Sequence, residues 1–127
     1  MPTILHRSNA MRRTETPNAV MTTLASPTQG STNELSMWKV HMRAGQQGPL
    51  HVFDSEQVWC VLDGDIEIAV DNQSMRLEPE DAVVLAAETQ RQITALHDAD
   101  MIVCGRSHAI ASVPGEAESR GTPAWIS

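Results

Sequence analysis

GQQGPLHVFDSEQVWCVLDG, residues 45–64, decides the reading of this chain. Gly45, Gly48 and Pro49 mark a turn with no room for a helix, and Gln57 to Leu62 is a short run rich in β-formers. In that run Gln57, Trp59 and Val61 share one face, whereas Cys60 points to the other. Asp63-Gly64 closes the run with a dipeptide suited to a tight hairpin. Downstream, Asp65 to Val70 alternates, with Ile66, Ile68 and Val70 on one side and Asp65 and Glu67 on the other. Asp71-Asn72 turns the chain, Met75 to Leu77 returns, and Pro79-Glu80-Asp81 breaks it again. Ala82 to Leu85, Arg91 to Leu96 and Met101 to Cys104 continue the pattern, and Met37 to Met42 precedes it; Met37, Met42, Met75 and Met101 read as core filling. No long helical period interrupts this series, so the sequence predicts an all-β antiparallel sandwich or barrel.

Outside that region the signals weaken. Residues 1–34 are rich in Thr, Ser, Asn and Pro without a sustained period, and they are expected to form a flexible N-terminal arm. The barrel is expected over 35–108. The tail, 109–127, is broken by Pro114-Gly115 and Gly121-Thr122-Pro123, yet Trp125 near its end predicts docking on the barrel or on a partner subunit.

Sixteen acidic against nine basic side chains give a net charge of −7, which disfavours phosphate backbones and anionic lipid. Nucleic acid and membranes are therefore not expected partners. No apolar run approaches the roughly 20 residues needed to cross a bilayer, and residues 1–20 lack the apolar stretch of a secretory signal. Cys60 and Cys104 are too few for a disulfide scaffold and lack zinc-finger spacing. These features predict a cytoplasmic protein with two reduced thiols.

The segment Gly45–Gly64 also resembles the first motif of the cupin superfamily: a glycine, five residues, His-x-His, a short gap, Glu, six residues and a glycine. Gly45, His51 and Gly64 occupy that grid. The second motif (glycine, five residues, Pro-x-Gly, two residues, His) overlays on 80–91 by spacing and by the apolar filling Ala82-Val83-Val84-Leu85. Glu80, Ala86, Glu88 and Arg91 stand at its signature positions. The resemblance implies a double-stranded β-helix, the jelly-roll cupin barrel, with a ligand cavity in its mouth and a homodimer formed through barrel faces.

In metal-binding cupins the four ligand positions correspond to His51, Phe53, Gln57 and Arg91 here. Phenylalanine has no lone pair, Gln57 is a neutral ligand, and a guanidinium repels a cation. The expectation is therefore no metal cofactor. The alternative is a divalent ion at His51 with Gln57 or His41, or a triad of His51, His41 and Glu56.

Family register implies a lumen lined by His51, Phe53, Gln57, Trp59 and Arg91, with Trp38 nearby. Arg91 there needs a counter-charge, either Asp54 or Glu56 or a bound anion. His51 and Arg91 are the candidate catalytic pair, with His51 as acid or base and Arg91 as anion clamp. A small anionic molecule is the expected ligand, processed by a metal-free isomerase, cyclase or lyase. The alternatives are a non-catalytic metabolite-binding or regulatory barrel and a metal-dependent, dioxygenase-like cupin with atypical ligands.

Overall fold

The computed structural model describes residues 3–127. Eleven strands run in chain order: β1 Arg12–Glu15, β2 Val20–Ala25, β3 Leu35–Met42, β4 Val52–Phe53, β5 Gln57–Asp63, β6 Ile66–Val70, β7 Gln73–Leu77, β8 Ala82–Leu85, β9 Arg91–Ala95, β10 Ala99–Arg106 and β11 Ala111–Ser112. They form a six-stranded sheet ordered β1-β2-β3-β10-β5-β8, a three-stranded sheet β7-β6-β9, and the pair β11-β4. Every strand pairing is antiparallel. The fold is an all-β jelly-roll barrel.

Period-two patterning sets which face each strand buries. On β3 the inward set is Ser36, Trp38, Val40 and Met42, and on β5 it is Gln57, Trp59 and Val61. Met101 and Val103 of β10 and Ile66 and Ile68 of β6 are likewise sealed, so both sheets contribute to one core.

Three expectations need correction. Asp63-Gly64 is not a hairpin turn, because β5 and β6 lie in different sheets and the dipeptide carries the chain around a corner. Gly64 takes φ +71°, and a Cβ there would collide with the Asp98 carbonyl. Residues 1–34 are not an arm throughout, since β1 and β2 pair with each other and β2 with β3. The inward residues of that hairpin include Thr23, fully buried, whose hydroxyl donates to the Trp125 carbonyl at 2.8 Å. A polar residue facing inward hides the hydrophobic period that would have revealed the strand. Thirdly, Met37 and Met75, which read as core filling, face outward from β3 and β7.

The tail lies across the same edge. Ile126 is fully buried, and its carbonyl accepts from the Ser36 hydroxyl. Upstream, Ala111 is bracketed by the tail: its carbonyl accepts from Arg120 N–H at 2.7 Å, and its N–H donates to Gly121 at 2.9 Å.

The 80–91 segment keeps an unusual backbone. Glu80 and Glu88 sit at φ +74° and +65°, the left-handed region, although neither is glycine. These are two of the positions where the second motif carries glycine, so the loop shape persists without the residue that suits it.

Candidate functional site

Between the sheets lies a cavity of about 380 Å³, a volume within the roughly 300–1,000 Å³ of small-molecule sites. Trp38, Val40 and Met42 of β3, Phe53 of β4 and Trp59 of β5 form much of its wall. The chain has three tryptophans, and all of them, Trp38, Trp59 and Trp125, border this space.

His51 reaches the cavity from the segment before β4. Its backbone exchanges two hydrogen bonds with Arg91, at 3.1 and 3.0 Å, which extends β9 alongside it. The ring Nδ1 lies 2.9 Å from the Pro49 carbonyl, which can only accept. The proton of the neutral ring is therefore on Nδ1, and Nε2 carries the lone pair. Burial above all, opposed by the Pro49 hydrogen bond and aided by the Arg91 charge, holds the His51 pKa below its ordinary value. His51 is thus neutral at pH 7, with an unshared basic nitrogen and its ring edge-on to Phe53 at 5.0 Å.

Arg91 departs from its expected role. It is wholly buried but does not border the cavity, so it cannot clamp an anion there. Its guanidinium lies over the Phe53 ring, 5.3 Å from the centroid. Nε donates to the Thr89 carbonyl at 2.9 Å, and longer bonds run to Gln57 Oε1 at 3.4 Å and the Ala86 carbonyl at 3.5 Å. No carboxylate pairs with it among the described residues. Asp54 instead accepts from Ile110 N–H at 2.8 Å, and Glu56 is exposed. Burial lowers the Arg91 pKa to about 10, which leaves it charged at neutral pH. Carbonyl dipoles and an aromatic face replace the counter-ion.

Gln57 joins this network from β5. Its Oε1 accepts from Arg91 and from Trp59 Nε1 at 3.2 Å, so two donors fix the orientation of the amide. Its Nε2 is buried without a partner. Gly105, opposite on β10, makes room: a Cβ there would lie 3.0 Å from Gln57 Cγ.

These residues do not fit a divalent ion. Of the four family positions only His51 offers a free donor atom, and a guanidinium occupies one of the others. The alternative set is not assembled either. His41 faces outward on β3, with Nδ1 2.8 Å from Asp100, and Glu56 points to solvent. Among the described residues no three His, Cys, Asp or Glu side chains are grouped to hold a metal.

The structure therefore brings His51, Phe53, Gln57, Trp59 and Trp38 around one space and leaves Arg91 behind it. Sequence reasoning missed the part of the wall built by Met21 of β2, directly beside Val40, and by Val113, Arg120 and Pro123 of the tail. Trp125 was the one visible signal for that wall.

No family model matches this sequence, and no curated protein does. Solved structures are similar to it in fold. KdgF from Halomonas sp. superposes with a TM-score of 0.72 at 21% identity, covering 83% of this chain and 94% of that one. An RmlC-like cupin from Shewanella frigidimarina gives 0.71 at 16%, covering 83% and 91%. Salicylate 1,2-dioxygenase from Pseudoaminobacter salicylatoxidans, in a gentisate adduct, gives 0.71 at 18%; the match covers 83% of this chain but only 31% of the dioxygenase. The chain shares the barrel fold of these structures. Its site differs from a metal-holding one at Phe53, Gln57 and Arg91, and fold alone assigns no reaction.

Proposed function

We propose that this cupin binds a small, largely apolar organic acid in the cavity and that His51 exchanges a proton with it, as a metal-free isomerase, cyclase or lyase would. The observation that carries the reading is the fixed tautomer of His51 beside an aromatic cavity. A neutral, half-buried imidazole with its Nε2 lone pair free is a general base at neutral pH. Salicylate dioxygenase, of like fold, binds gentisate, and a ring of that kind suits walls made of tryptophan and phenylalanine.

Because every tryptophan borders the cavity, intrinsic fluorescence reports its occupancy. Gentisate and a panel of small 2-oxo and aromatic acids are expected to include compounds that quench it saturably, with one site per chain. Deuterium uptake from solvent next to the carbonyl of a bound compound, followed by NMR, is expected to fall about 10²–10⁴-fold in His51→Asn. Binding without exchange would make the protein a non-catalytic metabolite sensor. Absence of quenching across the whole panel would remove the ligand reading altogether.

We also infer a cytoplasmic homodimer. Across the outer face of the large sheet, Met37, Cys104, Val58 and Val84 stand directly opposite one another on β3, β10, β5 and β8. Ile102, Cys60 and Ala82 extend the row beside them, and Val84 is 63% exposed. An exposed apolar strip of that kind, bordered by Lys39 opposite Ile102, marks an association surface. A two-chain mass by light scattering is expected for the native sequence, and a one-chain mass for Val58→Asp and for Val84→Asp. A one-chain mass for the unaltered protein at high micromolar concentration would rule the dimer out.

A further inference from the structure

Arg120 is the charged side chain that borders the cavity while His51 is neutral, and the tail presents it there. Two backbone hydrogen bonds to Ala111 flank it, so its position at the rim is set by β11. Its fork already grips a carboxylate: Nε donates to Glu116 Oε2 at 2.8 Å and one terminal nitrogen donates to Glu116 Oε1 at 2.6 Å. That is the bidentate geometry in which arginine recognises a carboxylate. The other terminal nitrogen has no protein partner among the described residues. Arg120 and Glu116 are both solvent-exposed, with side-chain exposures of 60% and 42%, so the pair can exchange partners at little desolvation cost. The remainder of the wall is dominated by apolar and aromatic side chains.

We propose that Arg120 is the specificity-determining contact for the ligand's carboxylate, which displaces the Glu116 carboxylate at the cavity rim while the apolar body of the ligand packs against the tryptophans. This rests on the cavity reading above and narrows its ligand to monocarboxylates with an apolar body. Glu116 is then a competing internal anion that fills the site when no ligand is present.

Fluorescence titration with gentisate and with gentisamide, its uncharged amide, tests the assignment. In the native sequence gentisate is expected to bind at least tenfold more tightly than gentisamide. Arg120→Gln is expected to abolish that preference by weakening gentisate about tenfold and leaving gentisamide unchanged, and Arg120→Lys to restore part of it as a point charge. Glu116→Gln is expected to tighten gentisate several-fold. That last outcome separates recognition from architecture, because a merely structural ion pair would make both substitutions weaken binding alike. Equal affinity for the two probes, or weaker gentisate binding in Glu116→Gln, overturns the role of Arg120 and leaves the cavity reading standing. Failure of every acid in the panel to quench, gentisate included, overturns the two together.

Discussion

Arg91→Ala is expected to lower the unfolding free energy by about 3–5 kcal/mol, measured by urea denaturation at pH 7. The side chain is fully buried, so truncation opens a void against the Phe53 ring. It also strips donors from the carbonyls of Thr89 and Ala86 and one of the two from Gln57 Oε1. Truncating a large core side chain costs about 2–5 kcal/mol; the freed acceptors add less than the roughly 1–3 of a fully buried orphan, because Ala86 is exposed, Thr89 is half-buried and Gln57 Oε1 keeps the Trp59 donor. Against this stands the removal of a desolvated cation that has no carboxylate partner, which is a gain. Arg91→Met separates the two contributions, because methionine refills the volume without charge or donors. Replacing buried charge by apolar volume is often neutral or stabilising, so Arg91→Met is expected to fall within about 1 kcal/mol of the native sequence. A loss below about 1 kcal/mol in Arg91→Ala would mean that the guanidinium is not integral to the core.

How far this arrangement could be read in advance follows from the range of each signal. Strand alternation is local, so the inward sets Trp38-Val40-Met42 and Gln57-Trp59-Val61 were readable from neighbours two residues away. Arg91 is in phase with Ile93 and Ala95 on β9, which made its inward direction readable as well. Its depth was not, because whether an inward arginine meets a cavity or a floor depends on Phe53, 38 positions earlier, lying under its guanidinium. The part of the wall supplied by β2 and the tail was hidden for a different reason. Its hydrogen bonds join Thr23 to Trp125 and Ser36 to Ile126, separations of 102 and 90 residues. The residues that make them are Thr and Ser, which in isolation read as loop. Turn chemistry misled once: Asp63-Gly64 has the composition of a hairpin, but the pairing of β5 with β8 and β10 sends the chain to the other sheet.

Gln57→Glu is expected to stabilise the protein by about 1–3 kcal/mol at pH 7, an unusual direction for a new buried carboxylate. The reasoning turns on what is already present. The cation is in place, desolvated and unpaired, so the substitution supplies its missing partner without burying a second uncompensated charge. The amide Nε2, orphaned in the native chain, disappears, and an oxygen remains to accept from Trp59 and Arg91. Glutamate matches glutamine in shape, so Gly105 still accommodates it. The guanidinium would hold the new carboxyl below its unfolded value near 4.3. Its stabilisation is therefore full above about pH 4.3 and disappears as pH falls through the lower, folded value. Urea midpoints from pH 7 down to pH 3 for both proteins should show the gain at the upper end and its loss at the lower. A variant less stable than the native chain at pH 7 would show that the carbonyls of Thr89 and Ala86 and the Phe53 ring already compensate the Arg91 charge, and that a carboxylate there pays more in lost hydration than it recovers from the pairing.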